Sequence, residues 1–171
     1  MPPVFSPIRG AQGLQLSNPS VLSVASLLGS LQVFQEAGMM GALRTRSIEL
    51  TAYLGKLLTQ SAYFVSPHEA AMRLPLCAVS STDHDHHRRP AFTIITPSDE
   101  NSRGSQLSLL FFSSDTELMY KVLEGLRSYG VIGDGRHPNV MRLTPTALYN
   151  TTQDCENGAK YLEEVLEELN I

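Results

Sequence analysis

The sequence predicts an α+β fold, an antiparallel sheet with helices packed on one face, preceded by a long helix pair. Three observations carry this expectation. Two stretches between Asn18 and Gln60 place apolar residues at helical spacing. Two β-rich runs, Ala91–Thr96 and Gln106–Phe112, are separated only by the turn-forming residues 97–104, which makes them neighbours in one sheet. A helix, two short strands and a last helix then follow, an order that suits one layer of helices on an antiparallel sheet.

Taken in order, Ser17-Asn18-Pro19 supplies a helix cap followed by proline at the first helical position, where its missing N–H costs nothing. The helix it opens carries Val21, Leu22, Val24, Ala25, Leu27, Leu28, Leu31 and Phe34 on more than one face. Such a helix is expected to be a central element, buried on several sides and stopped at Gly38. A second helix is expected from about Met40 to Gln60, with Leu43, Ile48, Leu50, Leu54 and Leu57 apolar, packed against the first. Residues 65–90 show no sustained period and read as a long surface loop with room for one short strand. Ser114 or Asp115 caps a third helix through Leu118, Val122, Leu123 and Leu126, ended by Gly130. Val131-Ile132 and Val140–Leu143 read as short strands on either side of the turn-rich residues 133–139. The last helix, from about Thr152 to Leu169, sets Leu162, Val165, Leu166 and Leu169 against Glu163, Glu164, Glu167 and Glu168.

At 171 residues and 42% apolar content, the chain is sized for one core. A net charge of −4 with dispersed arginines argues against nucleic acid as a partner. No apolar run approaches the roughly 20 residues of a membrane span, and the start lacks the regions of a secretory signal. Cys77 and Cys155 stand far apart without paired spacing, which suits free thiols in a reducing, cytoplasmic setting. Pro2, Pro3 and Pro7 read as extended chain arriving from elsewhere, a sign of truncation. The expected organisation is an extended leading segment, 1–17, followed by a single domain, 18–171, with the surface loop at about 65–90.

Four segments invite chemistry. Gly13-Leu14-Gln15-Leu16-Ser17-Asn18-Pro19 is on one reading only a helix start. On the other, the N–H groups and dipole of that helix end hold a phosphate, with Asn18 as an extra donor. Arg142 lies in a short strand between Met141 and Leu143, where a planar guanidinium needs a partner. That partner is either a ligand carboxylate or one of the chain's own acids. Residues 83–89, Asp-His-Asp-His-His-Arg-Arg, have a metal-like composition, yet a flexible run with two arginines lacks the rigid scaffold that ligands need, so a solvated loop and no metal is expected. Asp134-Gly135-Arg136-His137-Pro138-Asn139 mixes acid, base and imidazole, but reads as a turn whose charges satisfy each other. Gly133-Asp134-Gly135 has neither the glycine spacing nor the Lys-Ser or Lys-Thr of a phosphate loop.

These segments together resemble kynureninases, in order and with a gap only at 65–90. The resemblance runs through Gly13–Pro19, Ala42-Leu43-Arg44, Leu50–Leu54, Ile94–Ser98, Arg103–Leu107, Gly130–Ile132 and Asp134–Asn139, and closes with Met141–Pro145 and Leu148-Tyr149-Asn150. It implies the small C-terminal domain of a fold-type-I, pyridoxal-phosphate-dependent enzyme. It further implies a homodimer and hydrolytic Cβ–Cγ cleavage of L-kynurenine or 3-hydroxykynurenine to an anthranilate and L-alanine, a step of tryptophan catabolism and NAD biosynthesis. The cofactor is the electron sink and the protein supplies position and electrostatics. Carried over by position, Arg142 binds the substrate α-carboxylate. Asn18 helps hold the cofactor phosphate or the adjoining substrate region, and the two are expected to converge on one anionic ligand.

The chain departs from that pattern in what it lacks. The family's cofactor-bonding lysine, the aspartate partner of its pyridinium nitrogen and most of its phosphate loop belong to a large domain expected to precede this chain. Lys56, Lys121 and Lys160 all fall in predicted helices away from that position, so no catalytic residue is assigned here and the polypeptide alone is expected to be inactive. Two other readings compete with a kynureninase part that needs a second polypeptide. One is a non-catalytic interaction module that keeps the fold. The other is a piece of a related enzyme such as a cysteine desulfurase or an aminotransferase.

Overall fold

The computed structural model describes residues 4–72, 90–113 and 115–169. By internal contacts the chain divides into two compact units, Met1–Ala42 and Leu43–Ile171.

The first unit opens with a single 3-10 turn, Ala11–Leu14. Gly13 is required there, because a Cβ at that position would sit 2.0 Å from the Ile8 carbonyl oxygen. Helix α1 follows at Val21–Glu36 and starts later than expected. Its cap is Ser20, whose hydroxyl accepts from the Ser23 N–H at 3.4 Å, and Ser17, Asn18 and Pro19 lie before the helix. Of the two serines, Ser17 and Ser20, the helix takes as its cap the one directly before its apolar run. Gly38, at φ 86°, ends it as expected. The expected burial of α1 is not found: none of its residues is buried, and Val21 and Leu22 are each 80% exposed. The apolar residues stand where the pattern places them, but they are exposed.

Helix α2, Met39–Thr59, runs into the second unit, where Leu43, Leu50, Leu54 and Leu58 are buried. Strands β1, Ala91–Ile94, and β2, Leu107–Phe112, pair antiparallel, with Phe92 opposite Phe111. Helix α3, Leu118–Ser128, ends in a paired cap: Gly130 at φ 79° donates to the Arg127 carbonyl and Val131 to that of Leu126. This cap explains one misread strand. The Val131 N–H is used by the helix end, Ile132 is exposed, and strand β3 forms instead from Asp134–Arg136, inside the expected turn. Strand β4, Val140–Leu143, folds back on β3 with Asp134 opposite Arg142. The sheet order is β1-β2-β4-β3, antiparallel throughout. Helix α4, Thr152–Glu168, begins with a reciprocal cap in which Thr151 and Asp154 bond each other's backbone N–H.

One face of the sheet, with Leu107, Leu109, Phe111, Met141 and Leu143, packs on the buried faces of α2, α3 and α4. Gly125 sets the approach of α3 to α4, since a Cβ there would lie 2.6 Å from Val165 Cγ1. This is the α+β arrangement that the sequence predicts, with helices on one face of an antiparallel sheet. Strand alternation turns Ser108, Leu110, Val140 and Arg142 to the second face, because their neighbours Leu109, Met141 and Leu143 point into the core. At one end of that face Val65, Ala70, Ala91 and Phe112 form a smaller buried cluster, in which Ala70 belongs to a helical stretch at 67–72. The segment expected to be a surface loop thus has a helical, partly buried flank. Residues 73–89, with Cys77 and the His-rich run, lie outside the described residues.

Candidate carboxylate-binding face

Arg142 is placed by its strand. The pairing that buries Met141 and Leu143 leaves Arg142 on the second face, beside Ser108 of β2 and opposite Asp134 of β3. Its side chain is 29% exposed. The Nε–H donates to Asp134 Oδ2 at 2.7 Å, and Nη2 contacts the same oxygen. Arg136 Nη2 also reaches that oxygen, at 3.0 Å. Both expectations for this segment therefore meet in one place. Within residues 134–139 Arg136 pairs with Asp134, and among the described residues the acid that pairs with Arg142 is that same Asp134.

The cluster is not neutral, since two guanidiniums share one carboxylate. Asp134 takes the side edge of Arg142, formed by Nε and Nη2. The end edge, formed by Nη1 and Nη2, has no hydrogen-bond partner at Nη1 among the described residues. A guanidinium can accept a planar carboxylate along either edge. Among the described residues the arrangement leaves one excess positive charge and one open edge on Arg142. Nearby, the Ser108 hydroxyl accepts from Gln106 Nε2 at 3.2 Å.

Asn18 lies in the first unit, exposed, two residues before the Ser20 cap. The Ser20 hydroxyl satisfies the Ser23 N–H, while the Val21 and Leu22 N–H groups at that end have no partner within the helix. The helix start that was expected to receive a phosphate is thus present, displaced from Pro19 to Val21.

Other residues of the resemblance serve the fold. Arg44 binds the carbonyls of Glu100 and Arg103, the latter at 3.1 Å, and so ties α2 to the turn between β1 and β2. Asn150 accepts from the Thr146 N–H at 2.8 Å, and its carbonyl receives Arg46 Nη2, also at 2.8 Å. The buried Cys155 is a free thiol whose pKa is pushed up by burial and then by the charges of Asp154 and Glu156. It is therefore poorly suited to nucleophilic work.

Sequence reasoning missed a cavity of about 760 Å³ along β1, lined by Gly55, Lys56, Thr93, Ile95 and Arg103 among others. Thr93 is buried there, and its hydroxyl has no hydrogen-bond partner among the described residues. No sequence signal marks it, because the cavity is assembled from four separate segments, 51–59, 64–71, 93–98 and 103–110. Among the described residues no group of His, Cys, Asp and Glu forms a metal site, and no helix is long and apolar enough to cross a membrane.

The lysines are all helical. Lys121 pairs with Asp115 at 2.6 Å, and Lys160 pairs with Glu164 at 3.4 Å. Lys56 lines the β1 cavity, with no acidic residue in that lining among the described residues. The described residues thus offer one guanidinium edge, at Arg142, that no internal acid fills. They do not assemble a site for the cofactor ring.

These features define a class: a small α+β domain that presents an arginine, held by an aspartate, from the second face of its sheet. Residues 71–162 match the sequence profile of the kynureninase C-terminal domain. Over 166 residues the chain is 42% identical to the kynureninase of Yarrowia lipolytica, covering 97% of this chain and 35% of that protein. With the kynureninase of Saccharomyces cerevisiae the identity is 40% over 170 residues, covering 97% and 34%. Kynureninase 2 of Neurospora crassa is 42% identical over 151 residues, covering 88% and 26%. The chain belongs to the kynureninase family, and it spans about a third of the length of the curated relatives it matches.

Proposed function

We propose that this chain supplies the C-terminal part of a cytoplasmic, pyridoxal-phosphate-dependent kynureninase acting on L-kynurenine or 3-hydroxykynurenine. The observation that carries the proposal is the open end edge of Arg142 in a cluster with one excess positive charge. Arg142 binds the substrate α-carboxylate through that edge. When bound, the cofactor supplies the electron sink for Cβ–Cγ cleavage. The contribution of this chain is to fix one end of the substrate, so that the reacting bond is held in one orientation. Asn18 and the N-terminal amides of α1 take the cofactor phosphate or the adjoining substrate region. The chain alone does not catalyse the reaction, because its lysines are engaged elsewhere or stand in α2. Its partner is the polypeptide that carries the cofactor domain, in a homodimeric assembly, and the exposed apolar residues of α1 supply the docking surface.

The test is reconstitution. Mixed with a polypeptide that carries the cofactor domain of a kynureninase, the chain yields anthranilate fluorescence from L-kynurenine, whereas neither component does so alone. Arg142→Ala in the assembled protein lowers kcat/KM by about a hundredfold or more, in line with loss of a charged ligand contact. A soluble complex without activity, or an Arg142→Ala variant as active as the parent, contradicts the proposal. The second outcome favours a non-catalytic interaction module.

A further inference from the structure

We propose that Asp134 is a positioning residue for substrate: it holds the side edge of Arg142 so that the end edge alone is offered to a ligand carboxylate. The inference rests on the carboxylate-binding role given to Arg142 above and adds a second residue and a geometry to it.

An arginine side chain has several rotatable bonds, and without a clamp its guanidinium samples many orientations, each of which weakens a bidentate contact. Here the clamp is part of the sheet. Asp134 and Arg142 are register partners across β3 and β4, in a hairpin whose loop is His137-Pro138-Asn139. Gly135, next to Asp134, allows β3 to lie close to α3, because a Cβ there would be 2.7 Å from Leu123 Cδ1. The carboxylate is therefore carried by backbone anchored to the core. Its contacts are with Nε and Nη2, which form one edge of the guanidinium plane, so it does not occupy the edge a ligand would use. Arg136 draws on the same oxygen at 3.0 Å and keeps the cluster cationic. If Asp134 competed with the ligand, removing its charge would tighten binding. Clamping predicts the opposite sign.

The test compares two ligands in the assembled enzyme. L-Kynurenine carries the α-carboxylate, and kynuramine, its decarboxylated counterpart, does not. Asp134→Asn is expected to raise KM for L-kynurenine by about tenfold or more, leave kcat within about twofold and leave inhibition by kynuramine unchanged. Asp134→Glu restores most of the loss. Arg136→Ala raises KM by only about two- to threefold, through the lost positive charge. In the chain itself, the Arg142 Nε–H resonance is protected from water exchange and loses that protection in Asp134→Asn. An unchanged or lower KM in Asp134→Asn overturns the inference, as does equal weakening of both ligands, which would mark a purely structural role. An effect of Arg136→Ala as large as that of Asp134→Asn also overturns it, by showing that net charge and not edge geometry decides. If Arg142→Ala raises KM while Asp134→Asn does not, only the clamp fails. If Arg142→Ala has no effect, the carboxylate role itself fails.

Discussion

Helices α1 and α4 are nearly equal in length, 16 and 17 residues, and both carry aliphatic side chains along much of their course. Helix α4 gathers Cys155, Leu162, Val165 and Leu166 on one face, and all four are buried in the core it shares with α2, α3 and the sheet, Cys155 reaching the Leu50 carbonyl of α2. Helix α1 distributes Val21, Leu22, Val24, Leu27, Leu28, Leu31 and Val33 around its axis, and every one is at least half exposed. The difference shows that apolar content does not by itself place a helix. A one-sided helix needs one neighbour, which the second unit supplies. A helix that is apolar all round needs cover on several sides, and the aliphatic side chains of α1 stand exposed.

The largest test of this contrast is truncation. Phe111→Ala, at the fully buried centre of the sheet, should destabilise the second unit by about 3–5 kcal/mol in urea unfolding. Leu28→Ala in α1 should change the same transition by less than about 0.5 kcal/mol, since no packing is lost. Comparable effects at the two positions would erase the distinction between the regions. A finer test is Gly125→Ala. The added methyl meets Val165 Cγ1 and Cγ2, so the α3–α4 contact should weaken by about 1–3 kcal/mol in thermal unfolding. An unchanged midpoint would show that the two helices can slide apart freely.

The smallest expected effect concerns pH. The Asp154 carboxyl is held below its usual range, first by the backbone N–H of Thr151 and then by the Thr151 hydroxyl. Because its folded pKa is depressed, the stability it contributes is complete above the ordinary carboxylate range and is lost as pH falls through the lower folded value. Unfolding of α4 followed by circular dichroism should therefore show a midpoint that declines on acidification below that range. The decline should be shallower in Asp154→Asn, and an identical slope in the variant would rule the cap out as a contributor.

Most of the second unit was legible because its patterns are one-sided and its turns are marked. Leu162, Val165 and Leu166 announce α4, and the residues between Thr96 and Gln106 announce the β1–β2 hairpin. Strand β3 differs from the expectation because β-propensity at Val131-Ile132 competes with a helix cap at Gly130 that takes the Val131 N–H, a motif that strand propensity does not weigh. The partner of Arg142 was within reach. With His137-Pro138-Asn139 as a hairpin loop, symmetry about Pro138 sets Asp134 opposite Arg142. Turn propensity at residues 133–139 taken alone hides that pairing, because it says nothing of the strands on either side. The exposure of α1 could not be read in advance, since a sequence shows which residues seek burial and not whether a covering surface is supplied.

Hydrogen exchange along α1, compared with α4 in the same samples, measures that last point directly. In the chain alone at dilute concentration, α1 amides should exchange with little protection while α4 is protected. Assembly with the cofactor-domain polypeptide should raise α1 protection by roughly a hundredfold or more and leave α4 unchanged. Protection of α1 equal to that of α4 in the isolated monomeric chain, or an unprotected α1 in an assembly that turns over L-kynurenine, would contradict the account.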